Sequence, residues 1–399
     1  MTKLLDLKNH SVIAINQNNY TKEDNYKKVC YLDTDNITNN RINAFLKIDL
    51  TKEKLPSRAK RKCSINSIIY SSVRPNQRHF GIIKEIPKNF LVSTAFIVID
   101  IIDLKKLDPN YLYYYITQDK ITHYLQRIAE CGTSSYPSIT PLDFLNIKVK
   151  LYPLETQQKI ARTLSVLDQK IENNHKINEL LHKILELLYE QYFVRFDFLD
   201  ENNKPYQTSG GKMKFSKELN RLIPSGWSVR FLNHKIVSTY QPKTISKTLL
   251  NDSYSYSVYG GGGIIGRFTE YNHEQSEFII SCRGQCGISY LTLPKSWITG
   301  NAMVIRPTKS YTSKTYLYHT IKKYKLTNYI TGSVQPQITR QNLSTMPILI
   351  PKRKTLNKWN NISSLLWNLI HNNMQATQTL TALRDFLLPL LLKQQVKPK

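Results

Sequence analysis

Arg74 and Arg78 bracket Asn76 and Gln77 in the run Ser71-Ser-Val-Arg74-Pro-Asn76-Gln77-Arg78-His79, and Ala59-Lys60-Arg61-Lys62 stands shortly before it. An arginine guanidinium can fork onto guanine O6 and N7, an Asn or Gln amide onto adenine, and a lysine ammonium neutralises phosphate. Between Thr51 and Phe90 ten basic residues face two acids. This cluster predicts nucleic-acid contact through Lys60, Arg61, Lys62, Ser71, Arg74, Asn76, Gln77, Arg78 and His79. The competing account is a solvated basic loop that keeps a domain soluble. The whole chain of 399 residues carries a net charge of +27 and a pI near 9.7. A basic, aromatic-rich, folded chain points to nucleic acid as a partner.

The second half holds a comparable set. Tyr259 precedes Gly260-Gly261-Gly-Gly263-Ile-Ile-Gly266, and Arg267 follows. A Walker loop would end in Gly-Lys-Ser/Thr, and a dinucleotide loop would open a helix on its last glycine. Neither is met, so the run predicts a hairpin bend at which backbone approaches another backbone, DNA included. Ser281-Cys-Arg283-Gly-Gln285 stands about 209 residues beyond the first basic loop. Tyr259, Gly261, Arg267, Arg283 and Gln285 are the second set of DNA-contact candidates. Tyr254 and Tyr256 read more readily as packing residues.

Catalytic patterns are missing. There is no Asn-Pro-Pro-aromatic or Asp-Pro-Pro-aromatic tetrapeptide, no His-Glu-x-x-His, no Gly-x-Ser-x-Gly, and no carboxylate-lysine nuclease cluster. Acids number 29 and none stand paired between apolar runs. Together this favours a binding protein with no catalytic residues, no cofactor and no metal. Cys282-x3-Cys286 is half a zinc pattern without its second pair. Five irregularly spaced cysteines argue against a disulfide framework and for a reducing cytoplasm. Met1–Ser11 lacks the apolar core of a signal peptide, and no apolar run nears the roughly 20 residues a membrane span needs. The partner expected is double-stranded DNA, not membrane.

These residues sit in a chain that repeats itself. Ile86–Ile99 aligns with Leu293–Arg306 at an offset of 207. Pro137-Ser-Ile-Thr140 aligns with Pro336-Gln-Ile-Thr339, and Ile171-Glu-Asn-Asn174 with Ile370-His-Asn-Asn373, both at an offset of 199. Residues 1–152 mix strand-like runs, Ser67–Val73 and Phe90–Ile102, with a helix predicted over Leu112–Ala129. From 153 to 195, Leu164, Leu167, Ile171, Asn174, Asn178, Leu181, Leu185, Leu188 and Tyr192 step by three and four. Such a stripe predicts a helix of about 38 residues, roughly 57 Å long. A second apolar row, Ile160, Ile177, Leu180, Ile184 and Leu187, widens its face. Residues 196–222 read as a polar linker, 223–351 as a second globular domain with strands at Phe278–Cys282 and Trp297–Ile305, and 352–392 as a second long helix before a tail at 393–399. Its stripe, Leu366, Ile370, Asn373, Thr377, Leu380, Leu387 and Leu391, matches the first, with Ser363 and Arg384 replacing two leucines. Two seams with matched polar steps should pack on each other, and a two-fold repeat makes that pairing antiparallel.

Taken together, these residues resemble the specificity subunit of a type I restriction-modification system. The resemblance spans nearly the whole chain. It is carried by Tyr31-Leu-Asp-Thr-Asp-Asn-Ile-Thr38, Lys54-Leu-Pro-Ser-Arg-Ala59, Ile68–Asn76, Thr133–Thr140, Pro153-Leu-Glu-Thr-Gln-Gln158 and Leu167–Asn174. In the second half Pro224–Trp227, Tyr259–Gly263, Gly300-Asn-Ala302 and Leu387–Val396 carry it. The resemblance implies an α+β fold in which two target recognition domains alternate with two long helices paired as an antiparallel coiled coil, with pseudo-two-fold symmetry. Each domain would read half of a split DNA site. The helices, through Leu164, Leu167, Ile171, Asn174, Leu181, Leu188, Leu366, Ile370, Asn373, Leu380 and Leu387, would pair and dock two methyltransferase subunits, with the restriction-motor subunits joining through them. S-adenosylmethionine, ATP and magnesium would belong to those partners. The first domain lacks a Pro-x-Gly-Trp start, and the second helix opens on Leu356-Asn-Lys-Trp359 where the first has Gln157-Gln-Lys-Ile160. The rival readings are a self-contained methyltransferase or nuclease, and a stand-alone DNA-binding regulator.

Overall fold

The structure, a computed structural model, describes residues 1–132, 136–251 and 254–397. The chain forms two compact units: Met1–Asn174 joined by the chain from Ala376 onward, and His175–Gln375.

In the first unit, helix α1 (Leu4–Asn9) precedes β1 (Ile13–Ile15), β2 (Lys28–Leu32), β3 (Ile68–Ser71), β4 (Phe80–Ile82), β5 (Phe90–Ser93) and β6 (Phe96–Ile101). One antiparallel sheet has the order β1-β6-β3-β4. A second sheet places β2 parallel to β5, with Phe90 beside Cys30. Side chains on β3 and β6 alternate between two apolar layers, as strands with both faces covered require. Ile68, Tyr70, Ile97 and Ile99 face the helical side, and Ile69, Phe96 and Val98 face the other. Each such burial contributes about 1.5–3 kcal/mol before entropy.

The second unit repeats the plan. Its strands are β7 (Val237–Tyr240), β8 (Tyr256–Gly260), β9 (Phe278–Ser281), β10 (Ser289–Leu291), β11 (Trp297–Ile298) and β12 (Ala302–Pro307). The order β7-β12-β9-β10 matches the first sheet, and β8 runs parallel to β11, with Val258 beside Trp297. Phe278, Ile280, Met303 and Ile305 face one layer; Ile279, Ala302 and Val304 face the other.

Several expectations change. The run Phe90–Ile102 is two strands in different sheets, because the backbone turns at Thr94-Ala95, where Thr94 N–H reaches Arg58 O at 2.8 Å. Trp297–Ile305 splits likewise, with Thr299 N–H bonded to Tyr259 O at 2.9 Å. The helix expected over Leu112–Ala129 is two, α2 (Pro109–Ile116) and α3 (Asp119–Glu130). Thr117 bonds back to Tyr113 O, and the Gln118 amide, on an extended residue, donates to Tyr115 O, so local side chains end the first helix. The stretch 196–222 is more than a polar linker. It opens a hairpin, Met213–Ser216 with Arg221–Pro224, that runs into the next segment. Its Phe198 stacks on Trp227 at 5.1 Å and on Tyr206 at 4.9 Å.

Two short helices follow the equivalent sheets, α4 (Pro141–Leu145) and, after α6 (Lys314–Lys323), α7 (Arg340–Ser344). The long helices are α5 (Leu154–Tyr189), continued by a π-helical turn at Glu190–Val194, and α8 (Arg353–Leu392). Gln157 anchors the start of α5: fully buried, it donates to Lys106 O and Tyr152 O and accepts from Asp108 N–H. Within each unit the two helices run antiparallel. In the first, Asn174 Nδ2 donates to Thr377 Oγ1 at 3.2 Å, and Arg384 meets Asp168 at 2.9 Å. In the second, Asn178 Nδ2 donates to Ile370 O and Asn373 Nδ2 to Asn178 Oδ1. Leu164 and Ile370 on the stripes are fully buried. Leu167, Ile171, Leu181, Leu188, Leu366, Leu380 and Leu387 are half-buried, as a seam between only two helices leaves them. The second apolar row does not widen the buried face. Ile160 is buried, but Ile177, Leu180, Ile184 and Leu187 are 46%, 61%, 45% and 58% exposed.

Candidate nucleic-acid interface

The same backbone frame holds a loop in each unit. After β3, Ser72 N–H donates to Ala95 O at 2.8 Å and Ser72 O accepts from Ile139 N–H at 2.8 Å. After β9, Cys282 N–H donates to Asn301 O at 3.0 Å and Cys282 O accepts from Ile338 N–H at 3.0 Å. Val73 bridges Ser138, and Arg283 bridges Gln337. The repeated Pro-x-Ile-Thr thus braces each loop. Its threonine then caps a short helix, Thr140 accepting from Asp143 N–H and Thr339 from Asn342 N–H. The residues 133–135 of the Thr133–Thr140 run lie outside the described residues.

The frame aims Arg74 outward. Its φ is +46° and its N–H is tied to Pro137 O at 2.9 Å. Its exposed guanidinium lies 5.6 Å from the Tyr136 ring centre. Asn76 and Gln77 follow in a single 3₁₀ turn with exposed side chains, and Asn76 N–H is fixed by Gln126 Oε1. Lys60 is exposed too. In the second unit the Gly261-Gly262 bend joins β8 to the strand Gly263–Phe268, with φ +100° at Gly263. This is the hairpin the glycine run predicts. A Cβ at Gly261 would meet Ser281 Cβ at 3.4 Å and Arg283 O and Asn301 O at 3.5 Å. The bend, the exposed Arg283 and Gln285, and Asn301 therefore form one cluster. Among the described residues neither Arg74 nor Arg283 has an acidic partner.

Other candidates are turned to structural work. Ser71 is 2% exposed; its hydroxyl donates to Val73 O and accepts from Val73 N–H. Tyr259 is 2% exposed, its hydroxyl accepts from Leu293 N–H, and burial pushes the phenol up to about 12. Both side chains point inward because strand alternation puts them on a covered face, so neither reaches DNA as the protein stands. Lys62 is tied to Asp24 at 2.6 Å, and Arg78 to Asp119 at 2.9 Å. His79 Nδ1 lies 2.5 Å from Ile37 O. Arg61 is half-buried and burial lowers its pKa. The Arg267 guanidinium donates to Ser255 O at 2.5 Å.

Residues not singled out by charge join these sites. Asn301 does so through the turn between β11 and β12, and Gln337 through its bridge to Arg283. Their signals were Gly300-Asn-Ala302, which carries part of the family resemblance, and the repeat Pro336-Gln-Ile-Thr339. In the first unit Lys28, Lys47 and Lys88 rim a hollow of about 410 Å³ floored by Val29, Ile48 and Pro87. Cys282 Sγ accepts from Gln241 Nε2, and Cys286 Sγ lies on Pro336 O. Among the described residues no group of three or more His, Cys, Asp or Glu is placed to hold a metal ion, and no helix is long and apolar enough to cross a membrane.

Comparison with known proteins agrees with this architecture. The chain is 23% identical over 93% of its length to the type I restriction enzyme HindI specificity subunit of Haemophilus influenzae, covering 95% of that protein. It is 24% identical over 71% of its length to the MjaIX specificity subunit of Methanocaldococcus jannaschii, covering 68% of it. The crystal structure of the type I restriction-modification S subunit from M. genitalium shares the fold, with a TM-score of 0.54, 17% identity, and coverage of 98% of this chain and 99% of that one. The family described as type I restriction modification DNA specificity domain matches twice, over residues 8–183 and 224–380, and the chain belongs to that family of specificity subunits.

Proposed function

We propose that this chain is the non-catalytic DNA reader of a type I restriction-modification complex, with each unit reading one half of a bipartite site. The observation that carries the reading is the matched frame around Ser72 and Cys282, which presents Arg74 and Arg283 from equivalent loops. Phosphate contacts from the surrounding lysines would supply salt-dependent affinity, and base-edge contacts from Arg74, Asn76, Gln77, Arg283 and Gln285 the sequence choice. The long helices act as the ruler between half-sites. They also dock two methyltransferase subunits, with restriction-motor subunits joining through those, in the cytoplasm. The exposed row Ile177, Leu180, Ile184 and Leu187 supports docking, since an apolar stripe on a helix costs solubility unless covered. S-adenosylmethionine, ATP and magnesium are then the partners' cofactors.

The test is methylome sequencing of cells carrying the chain with its methyltransferase subunit. One heptad is inserted into each long helix, between Ile177 and Leu181 and between Ala376 and Leu380. The expected result is unchanged half-sequences with the gap widened by about 10 Å, roughly three base pairs. Altered half-sequences at a constant gap would defeat the ruler. Methylation by the chain alone would favour a self-contained enzyme.

A further inference from the structure

The two helix seams are related by an offset of 199; they part where Ser363 stands for Leu164 and, more sharply, at one charged step. In the first unit Asp168 on α5 meets Arg384 on α8 at 2.9 Å, and each side chain is only 22% exposed. Tyr114, itself buried, donates its hydroxyl to the other Asp168 oxygen at 2.6 Å. Burial works against the Arg384 charge, but Asp168 and Asp385 more than offset it and hold the guanidinium protonated. The repeat equivalents of Asp168 and Arg384 in the second unit are Trp367 and Leu185, 5% and 0% exposed in an apolar core. A charged step thus corresponds to an apolar one.

Most of the remaining seam favours confusion. The stripes of α5 and α8 are alike, and Asn174 and Asn178 correspond to Asn373 and Thr377. An α5 helix could therefore pair with α5 of a second copy. The register that joins Asn174 to Thr377 would then set Asn174 against Asn178 of the partner, with the two Lys176 residues level. It would also set Asp168 against Leu185. An α8 pair would set Arg384 against Trp367. Each like pairing strands a charge in apolar surroundings, whereas α5 on α8 satisfies both. We infer that the Tyr114–Asp168–Arg384 triad is a pairing-specificity device, which makes α5 select α8 of its own chain and reject a second copy of itself. The chain is built from its first residue onward, so α5 is complete before α8 exists, and Asp168, still without its arginine, keeps it available.

The experiment uses the full chain with Tyr114→Phe, Asp168→Leu and Arg384→Leu, which removes every member of the triad. Replacing a buried ion pair by apolar side chains generally preserves folding. Wild type and variant are refolded across a concentration series, sized by light scattering, and treated with an amine-reactive cross-linker. The inference expects wild type to stay at 46.5 kDa. The variant should keep its helical circular dichroism and populate a dimer of twice that mass, carrying a Lys176-to-Lys176 cross-link that only α5-on-α5 pairing yields. A variant that stays monomeric at every concentration overturns the inference. So does one that loses its helical signal, because the triad would then be holding the fold together, not choosing a partner.

Discussion

Asn373 donates its side-chain amide to Asn178 Oδ1 across 2.9 Å, and Asn178 in turn donates to the carbonyl of Ile370 at 3.3 Å. At the equivalent step of the other unit, Asn174 donates to Thr377. A polar residue in a helix seam fixes register at a cost in stability, because only one alignment satisfies it. Asn178→Leu alone should destabilise the chain by about 1 kcal/mol, since it leaves the Asn373 amide without its acceptor. Asn178→Leu with Asn373→Leu should recover that loss. Urea denaturation of these two variants and of Asn373→Leu alone measures the coupling, and a double-variant loss equal to the sum of the two single losses would show that the pair is not coupled.

Arg74 and Arg283 stand on equivalent loops without acidic partners among the described residues, while Arg78 is held by Asp119. Arg74→Ala should weaken the first half-site by about 1–3 kcal/mol and relax its sequence preference. Arg283→Ala should do the same at the second half-site only. Arg78→Ala should matter less than Arg74→Ala. Binding of the assembled complex to duplexes with each half-site scrambled in turn reads this directly. A loss shared by both halves from a single substitution would mean that these arginines act through folding.

Glycine positions near the second loop separate fold from recognition. A Cβ at Gly300 would lie 2.6 Å from Thr244 Oγ1 and 3.0 Å from Pro242 O, so Gly300→Ala should cost about 1–3 kcal/mol. A Cβ at Gly261 meets only ordinary contacts. Gly261→Ala should leave the melting temperature unchanged and reduce affinity for the second half-site, if DNA approaches that backbone. Thermal melts alongside binding distinguish the two, and unchanged binding for Gly261→Ala removes the bend from the interface.

His319 and His371 are buried near Trp367 and Trp359, and burial holds their imidazoles down to about 3 and about 4. In the unfolded chain histidine titrates near 6.5. Folded-state values lie below this, so the neutral rings contribute stability above about pH 6.5. That contribution is lost as pH falls toward 4, because the unfolded chain takes up protons the folded one refuses. The slope should approach about 1.4 kcal/mol per pH unit for each histidine. Melting temperature against pH from 7.5 to 5 checks it. His319→Phe with His371→Phe should flatten the acid limb, and an unchanged limb would place the acid sensitivity elsewhere.

The long helices and the two-fold repetition were legible because apolar spacing along a helix is a local property. Leu164 and Ile370 needed only their neighbours three and four away to declare a buried stripe, and Asn174 and Asn373 declared the polar step. Charge likewise marked the Arg74 loop. Where a strand ends was harder to read. Phe90–Ile102 and Trp297–Ile305 each read as one largely apolar run, and only hydrogen bonds from Thr94 and Thr299 to residues distant in sequence show where each changes sheet. Phe198 looked like a linker residue because the Trp227 ring it stacks on is remote in sequence, and Tyr206 joins the core through Phe198.

By itself, then, the sequence determined two α+β repeats, two paired helices and a basic loop in the first repeat, since periodicity, duplication and charge are carried along the chain. Tertiary structure alone decided which cations stay available. It bound Lys62 to Asp24 and Arg78 to Asp119, turned Ser71 and Tyr259 inward, and left Arg74 and Arg283 on matching loops. The physical reason is that an ion pair or a covered strand face depends on partners tens of residues away, and only the folded chain brings them within reach.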